Sequence, residues 1–227
     1  MADVEFLSQV SIFANLEPER LQPLTGKLRP RRYRRGEVIF HQDEPGDRMH
    51  ILVEGTVKIS VTSEDGREKN IALLKPGECF GEMALLDGSR RSATATALEA
   101  LETLVLMRDD FLDFLSENPQ VAADISNLLT QRLRNVNQML VDTAFLDVPT
   151  RVAKQLLTLA ASYAGDAEPA EPRVVPLGQE ELASLVGASR ETVSRALTSY
   201  RRMGILTTSH RRIVINDWKA LERMASS

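Results

Sequence analysis

Apolar residues fall at Val121, Ile125, Leu128, Leu129, Leu133, Val136 and Leu140, spacings of three and four that trace one stripe along a helix. Pro119 stands where a first helical turn tolerates a missing N–H, and no Gly interrupts the stretch to about Thr143. The pattern predicts about seven unbroken turns, more than one small core needs. Such a helix is either buried in a core or one half of a parallel two-helix dimer seam. Asn135, Asn137 and Gln138 beside the stripe suit a pure core poorly; they would face a ligand or fix the register of a seam.

The periodicity changes on either side. Phe6, Leu7, Val10, Phe13, Leu16, Leu21 and Leu24 predict short helices over residues 4–28. Strands are expected at 38–40, 50–53, 57–61, 70–74 and 101–107. Gly36, Pro45-Gly46, Glu54-Gly55, Asp65-Gly66 and Pro76-Gly77 supply a turn signal every eight to twelve residues, which argues for a small antiparallel barrel or roll. Beyond the long stripe, Asp147 stands at an N-cap position with Pro149 inside the first turn. Val152, Leu156, Leu157 and Leu159 form a fresh apolar face, so 145–147 reads as a hinge. Residues 165–172 read as an acidic loop. Two helices, 179–186 and 190–203, joined by Gly187-Ala188-Ser189, describe a helix-turn-helix, and strands at 205–208 and 213–215 around Ser209-His210-Arg211 make a wing.

Charge sharpens this picture. The net charge of -4 over 227 residues does not advertise a nucleic-acid partner. Yet from Ser189 to Arg212 six arginines (190, 195, 201, 202, 211 and 212) stand against Glu191 alone, a local basic patch. Ser189 is placed to cap the second helix, and residues 191–195 lie on its amino-terminal face, where this motif reads bases. The five arginines of LRPRRYRRGEVIF read as a solvated strand face. The acidic start MADVEFLSQV has no signal-peptide character and no apolar run approaches a membrane span, so a soluble cytoplasmic protein is expected.

Within the β-rich half, FGEMALLDGSRRSATATA breaks the alternation. Residues 82–86 make one helical turn ended by Asp87-Gly88. Backbone N–H groups at its start and the guanidinium of Arg91, the one well-placed cation of the segment, point toward an anion. Glu82 fits beside an anion only if the ligand also brings a hydroxyl donor, as a ribose does; Arg91, with Ser92, would pair with a phosphate. A surface Glu–Arg pair is the other reading of the same spacing.

GEMALLDGSRRSA resembles the phosphate-binding cassette of cyclic-nucleotide-binding domains, and the order of roll, long helix and small carboxy-terminal domain resembles the Crp/Fnr family of regulators over nearly the whole chain. The resemblance implies that Gly81 and Glu82 hold the ribose, Arg91 and Ser92 the cyclic phosphate, and that Ile71 lines the base pocket. Val136 and Asn137 match long-helix positions that touch the base, one from the partner subunit, although valine stands where a threonine is best known and loses a hydrogen bond to adenine. SRETVSR resembles the recognition helix of cyclic-AMP-responsive members. By that likeness Arg190 and Arg195 take guanines, Glu191 a cytosine, and Thr192 and Ser194 phosphates, with Ser189 and Arg211 also at the DNA and TGTGA-like half-sites as the target.

The fold class expected is α+β: an amino-terminal antiparallel β-roll binding a cyclic nucleotide (1–118), a dimerisation helix (119–144), a hinge (145–149) and a winged helix-turn-helix DNA-binding domain (150–227). Expected partners are double-stranded DNA, a second copy as homodimer, cyclic AMP as allosteric ligand rather than cofactor, and RNA polymerase. No Ser-His-Asp or metal-water arrangement is visible, so no catalytic residue and no metal site is expected. His41, His50 and His210 are scattered, and Cys79, without a nearby histidine, reads as a buried apolar residue rather than a haem ligand. Two other readings are a regulator that binds DNA constitutively or answers another ligand, and a nucleotide-sensing module that docks to a partner protein. The helix-turn-helix argues against the module.

Overall fold

The computed structural model describes residues 4–164, 172–209 and 211–226, which form two compact units, Met1–Arg134 and Asn135–Ser227. In the first, short helices α1 (Val4–Ser8) and α2 (Pro18–Thr25) precede β1 (Arg29–Tyr33), β2 (Val38–Phe40), β3 (Arg48–Glu54), β4 (Val57–Thr62), β5 (Glu68–Leu74) and β6 (Cys79–Phe80). Helix α3 (Glu82–Asp87) then leads to β7 (Thr94–Ala97), β8 (Leu101–Met107) and α4 (Arg108–Glu117). The strands form two four-stranded antiparallel sheets, ordered β1-β8-β3-β6 and β2-β7-β4-β5.

Neighbouring residues of a strand point to opposite faces, and β3 uses both. Met49 and Ile51 join Leu104 and Leu106 in a core roofed by Leu7, Phe13, Leu21, Leu24, Phe111 and Phe114 from the helices. Leu52 turns the other way, into the space between the sheets, with Val57, Phe80, Ala95 and Leu101. His50 shares that inner face and stacks on Phe80, ring centroids 5.0 Å apart. Burial there pushes its ring down to about 3, so it stays neutral at ordinary pH.

Strand β6, a further strand at Arg173–Val175 and the helix α4 go beyond the sequence expectation. The arginine run is itself edge strand β1, exposed as expected, with Arg32 paired to Glu102 at 2.7 Å. Helix α4 escapes a search for long stripes because it is only ten residues; its signal was Phe111 and Phe114 behind the acidic first turn of Asp109 and Asp110.

Helix α5 (Pro119–Phe145) runs 27 residues. Val121 and Ile125 are buried in the core of the first unit, with Leu128 and Leu129 packed against it. Farther on, Leu133, Val136, Leu140, Val141 and Phe145 are exposed, Phe145 to 81%.

The second unit contains α6 (Val148–Ala164), β9 (Arg173–Val175), α7 (Gln179–Val186), α8 (Arg190–Arg202), β10 (Leu206–Ser209), β11 (Arg212–Ile215) and α9 (Trp218–Ala225). Asp147 starts α6 by accepting from the Thr150 N–H at 2.9 Å. Strand β11 pairs with both β10 and β9, so the two-stranded wing is part of a three-stranded sheet. Val152, Leu156, Leu182, Leu185, Val193 and Leu197 are among the side chains buried in this unit. His210 of the wing and 165–171 of the expected loop lie outside the described residues.

Candidate nucleotide site and DNA interface

Gly81 caps α3 with φ 80°, the left-handed region. A side chain there would meet the Arg91 guanidinium, since a Cβ would lie 2.5 Å from Nη1. That closeness is how the cassette is held: Arg91 Nη1 donates to the Gly81 carbonyl at 2.7 Å and Nη2 to the Arg48 carbonyl at 2.6 Å. The guanidinium also lies over the Phe40 ring, 4.2 Å from its centroid. Arg91 is buried, and burial weakens its hold on its proton.

Glu82 is equally buried at 1% exposure, which holds its carboxyl above the usual carboxylate range, against the opposing pull of Arg132. Arg132 Nη1 donates to Glu82 Oε1 and Nη2 to the Cys79 carbonyl, each at 2.5 Å. Glu82 Oε2 and Arg91 Nε have no protein partner. A buried charged group with an open valence is costly, and here the cassette presents one such acceptor, Glu82 Oε2, and one such donor, Arg91 Nε.

Arg132 adds to Arg91 a second cation, brought to the site by α5 from outside the cassette segment. Its signal in the sequence was an arginine inside the apolar stripe, between Leu129 and Leu133. Ser92 is exposed, its hydroxyl 3.8 Å from the Met83 sulfur. Ile71 is half-buried on β5, where the β4–β5 register shifts between Ile59 and Ser60 and leaves it without a direct partner. Gly81, Glu82, Arg91 and Arg132 are brought together in the first unit by these contacts, with Ile71 half-buried on β5 and Ser92 exposed beside Met83. Val136 and Asn137 belong to the second unit and are exposed.

In that unit Ser189 caps α8, its Oγ accepting from the Thr192 N–H at 3.2 Å. Gly187, at φ 65°, makes the turn that brings α8 against α7. Val193, Ala196 and Leu197 anchor the inner face, and buried Tyr200, its hydroxyl pushed up to about 12, donates to the Pro149 carbonyl at 2.9 Å. The outer face carries exposed Arg190, Glu191 and Arg195, with Thr192 and Ser194 half-buried beside them. Arg195 Nη2 reaches Thr192 Oγ1 at 3.3 Å. Backbone and Ser189 hydrogen bonds hold the Glu191 carboxyl below its usual range, so it is an acceptor only. Arg211 is not free: it pairs with Glu181 of α7 at 2.5 Å, a partner the sequence did not suggest.

A roll with a buried anion cassette, joined in one chain to a winged helix-turn-helix, defines the class of ligand-linked DNA-binding regulators. Residues 30–118 match the family model of the cyclic nucleotide-binding domain and residues 150–224 that of the Crp-like helix-turn-helix domain. The chain is 38% identical over 222 residues to the CRP-like cAMP-activated global transcriptional regulator of Mycobacterium tuberculosis, covering 97% of this chain and 99% of that protein. It is 35% identical over 214 residues to the cyclic AMP receptor protein of Thermus thermophilus, covering 94% and 96%. The crystal structure of the Thermus thermophilus catabolite activator protein matches with a TM-score of 0.54 at 35% identity, covering 95% of this chain and 98% of that one. The chain belongs to the Crp/Fnr family of DNA-binding transcription regulators and carries its cyclic nucleotide-binding domain. Its relatives are regulators, not enzymes. Among the described residues no helix is long and apolar enough to cross a membrane.

Proposed function

We propose that this protein acts as a homodimer whose grip on TGTGA-like palindromes is set by cyclic AMP. The observation that carries the ligand half is the open valence on each of two buried charges, Glu82 Oε2 and Arg91 Nε. A ribose hydroxyl donates to the first; a cyclic phosphate accepts from the arginine, helped by Ser92 once its hydroxyl turns from Met83. Gly81 keeps the backbone close, and Ile71 offers an apolar wall to the base. The names of the relatives at 38% and 35% identity favour cyclic AMP over another nucleotide.

For DNA, Arg190 and Arg195 present the fork that pairs with guanine O6 and N7, and Glu191 accepts from cytosine N4. Thr192, Ser194 and Ser189 lie low enough on α8 to meet phosphates, and Arg211 joins them by exchanging Glu181 for a phosphate. The ligand acts through its preference for one arrangement of the segment 145–149, in which two recognition helices stand about 34 Å apart, one turn of DNA. Moving the dimer from mostly inactive to mostly active needs about 5.5 kcal/mol of differential affinity. RNA polymerase, in the cytoplasm, is the partner such a regulator addresses.

A mobility-shift assay on a TGTGA palindrome tests this directly. Binding that appears or strengthens with cyclic AMP supports the proposal, and equal binding with and without it favours constitutive action. Because Arg190 is exposed and, among the described residues, its fork makes no hydrogen bond or ion pair, Arg190→Ala should cost about 1–3 kcal/mol and relax preference at one base pair. A uniform loss on all sequences would make it a phosphate contact. Val136 lacks the hydroxyl that would read the adenine edge, so competition titrations should show cyclic GMP displacing cyclic AMP with weak discrimination. Strong selectivity would remove the long helix from base reading.

A further inference from the structure

Met83 follows Glu82 on α3, with its side chain 45% exposed on the cassette itself. Its sulfur faces the hydroxyl of Ser92, 3.8 Å away, and Ser92 is one of the two residues assigned above to the phosphate. The sulfur just before the cassette, Cys79 on β6, is fully buried, and burial pushes its thiol up and away from the reactive thiolate. Met83 is therefore the sulfur of this site that a small oxidant reaches.

We infer that Met83 is a modification site, at which a peroxide converts the thioether to a sulfoxide and so lowers the affinity of the cassette for its anionic ligand. The sulfur lone pair attacks one peroxide oxygen, the O–O bond breaks and an S–O bond forms. Hydrogen on the transferred oxygen passes to the departing one, which leaves as water or an alcohol. Sulfur gives up two electrons and the peroxide takes them. The thioether is a weak acceptor that releases the Ser92 hydroxyl easily, whereas the sulfoxide oxygen is a strong one. It would hold the hydroxyl away from the phosphate and set a partial negative charge beside the anion. Sulfoxides are reduced enzymatically, so the change is reversible. The inference rests on the proposed function, because it takes Ser92 as a phosphate partner.

The test treats the full-length protein with hydrogen peroxide, maps oxidised methionines by peptide mass spectrometry, and measures cyclic AMP affinity by calorimetry before and after. Met83 is expected to gain one oxygen and the affinity to fall about tenfold, the worth of one hydrogen bond to a charged group. Met83→Leu should keep its own starting affinity through the treatment, although exposed Met107 and Met203 still oxidise. Saturating cyclic AMP should slow oxidation at Met83 and not at Met203. Met83 remaining reduced while those two oxidise, unchanged affinity once it is oxidised, or an equal loss in Met83→Leu would each overturn the inference alone. Failure of untreated protein to bind cyclic AMP would instead overturn the proposed function, and this inference with it.

Discussion

Arg91→Leu is expected to abolish cyclic AMP binding in calorimetry. The guanidinium is fixed by two backbone carbonyls and the Phe40 ring, so it meets a phosphate without first giving up side-chain freedom. Charge-assisted hydrogen bonds contribute about 1.5–3 kcal/mol each, and losing two of them weakens binding by more than about a hundredfold. Leucine also takes from Glu82 the smaller of its two positive fields, that of Arg132 remaining, which makes the carboxylate somewhat costlier in the same buried place. The carbonyls of Gly81 and Arg48 lose their donor too, so a thermal melt must accompany the titration. A folded Arg91→Leu that binds cyclic AMP as tightly as the parent would remove the cassette assignment.

The parts of this site legible in the sequence were those encoded locally. Gly81, Glu82, Arg91 and Ser92 lie within twelve residues around one short helix, so their chemistry can be read from local spacing. Arg132 was missed because it pairs with Glu82 across fifty positions, and an arginine on a long polar helix has no local mark of a buried partner. The same holds for Glu181 against Arg211: the helix-turn-helix and its capping serine follow from propensity, but the ion pair depends on how the wing folds back on α7. Phe40 beneath Arg91 is tertiary in the same sense, since β2 and the cassette meet through sheet pairing. At the level of fold, alternation and turn signals located the long strands. Short ones such as β6, with two residues, hold their place by pairing rather than by pattern. The stripe on α5 was read correctly as a helix, yet its two halves differ. Packing alone shows that Val121 and Ile125 serve the core while Leu133 and Leu140 stay bare.

Those bare side chains carry the second large effect: Leu133→Glu combined with Leu140→Glu is expected to give a monomer that no longer holds the palindrome. The two leucines are 60% and 62% exposed and stand seven residues apart, the repeat of a two-helix seam, with exposed Val136 between them. Apolar surface of this kind is stabilised only when covered, at about 25 cal/mol for each Å² removed from water. On the proposed reading a second copy of α5 would cover it with the same surface and let two copies of α8 address two half-sites. Carboxylates at both positions would face their counterparts across the seam, desolvated and of like charge. A monomer keeps one half-site, and the loss on the full palindrome should exceed about a thousandfold, into the range that separates specific from non-specific binding. Because neither leucine is buried in the single chain, the thermal melt of each unit should change little, which separates a lost interface from a lost fold. Sedimentation gives the mass and a mobility shift the affinity. A variant that stays dimeric, or a monomer that grips the palindrome as the parent does, would end the case for α5 as the seam.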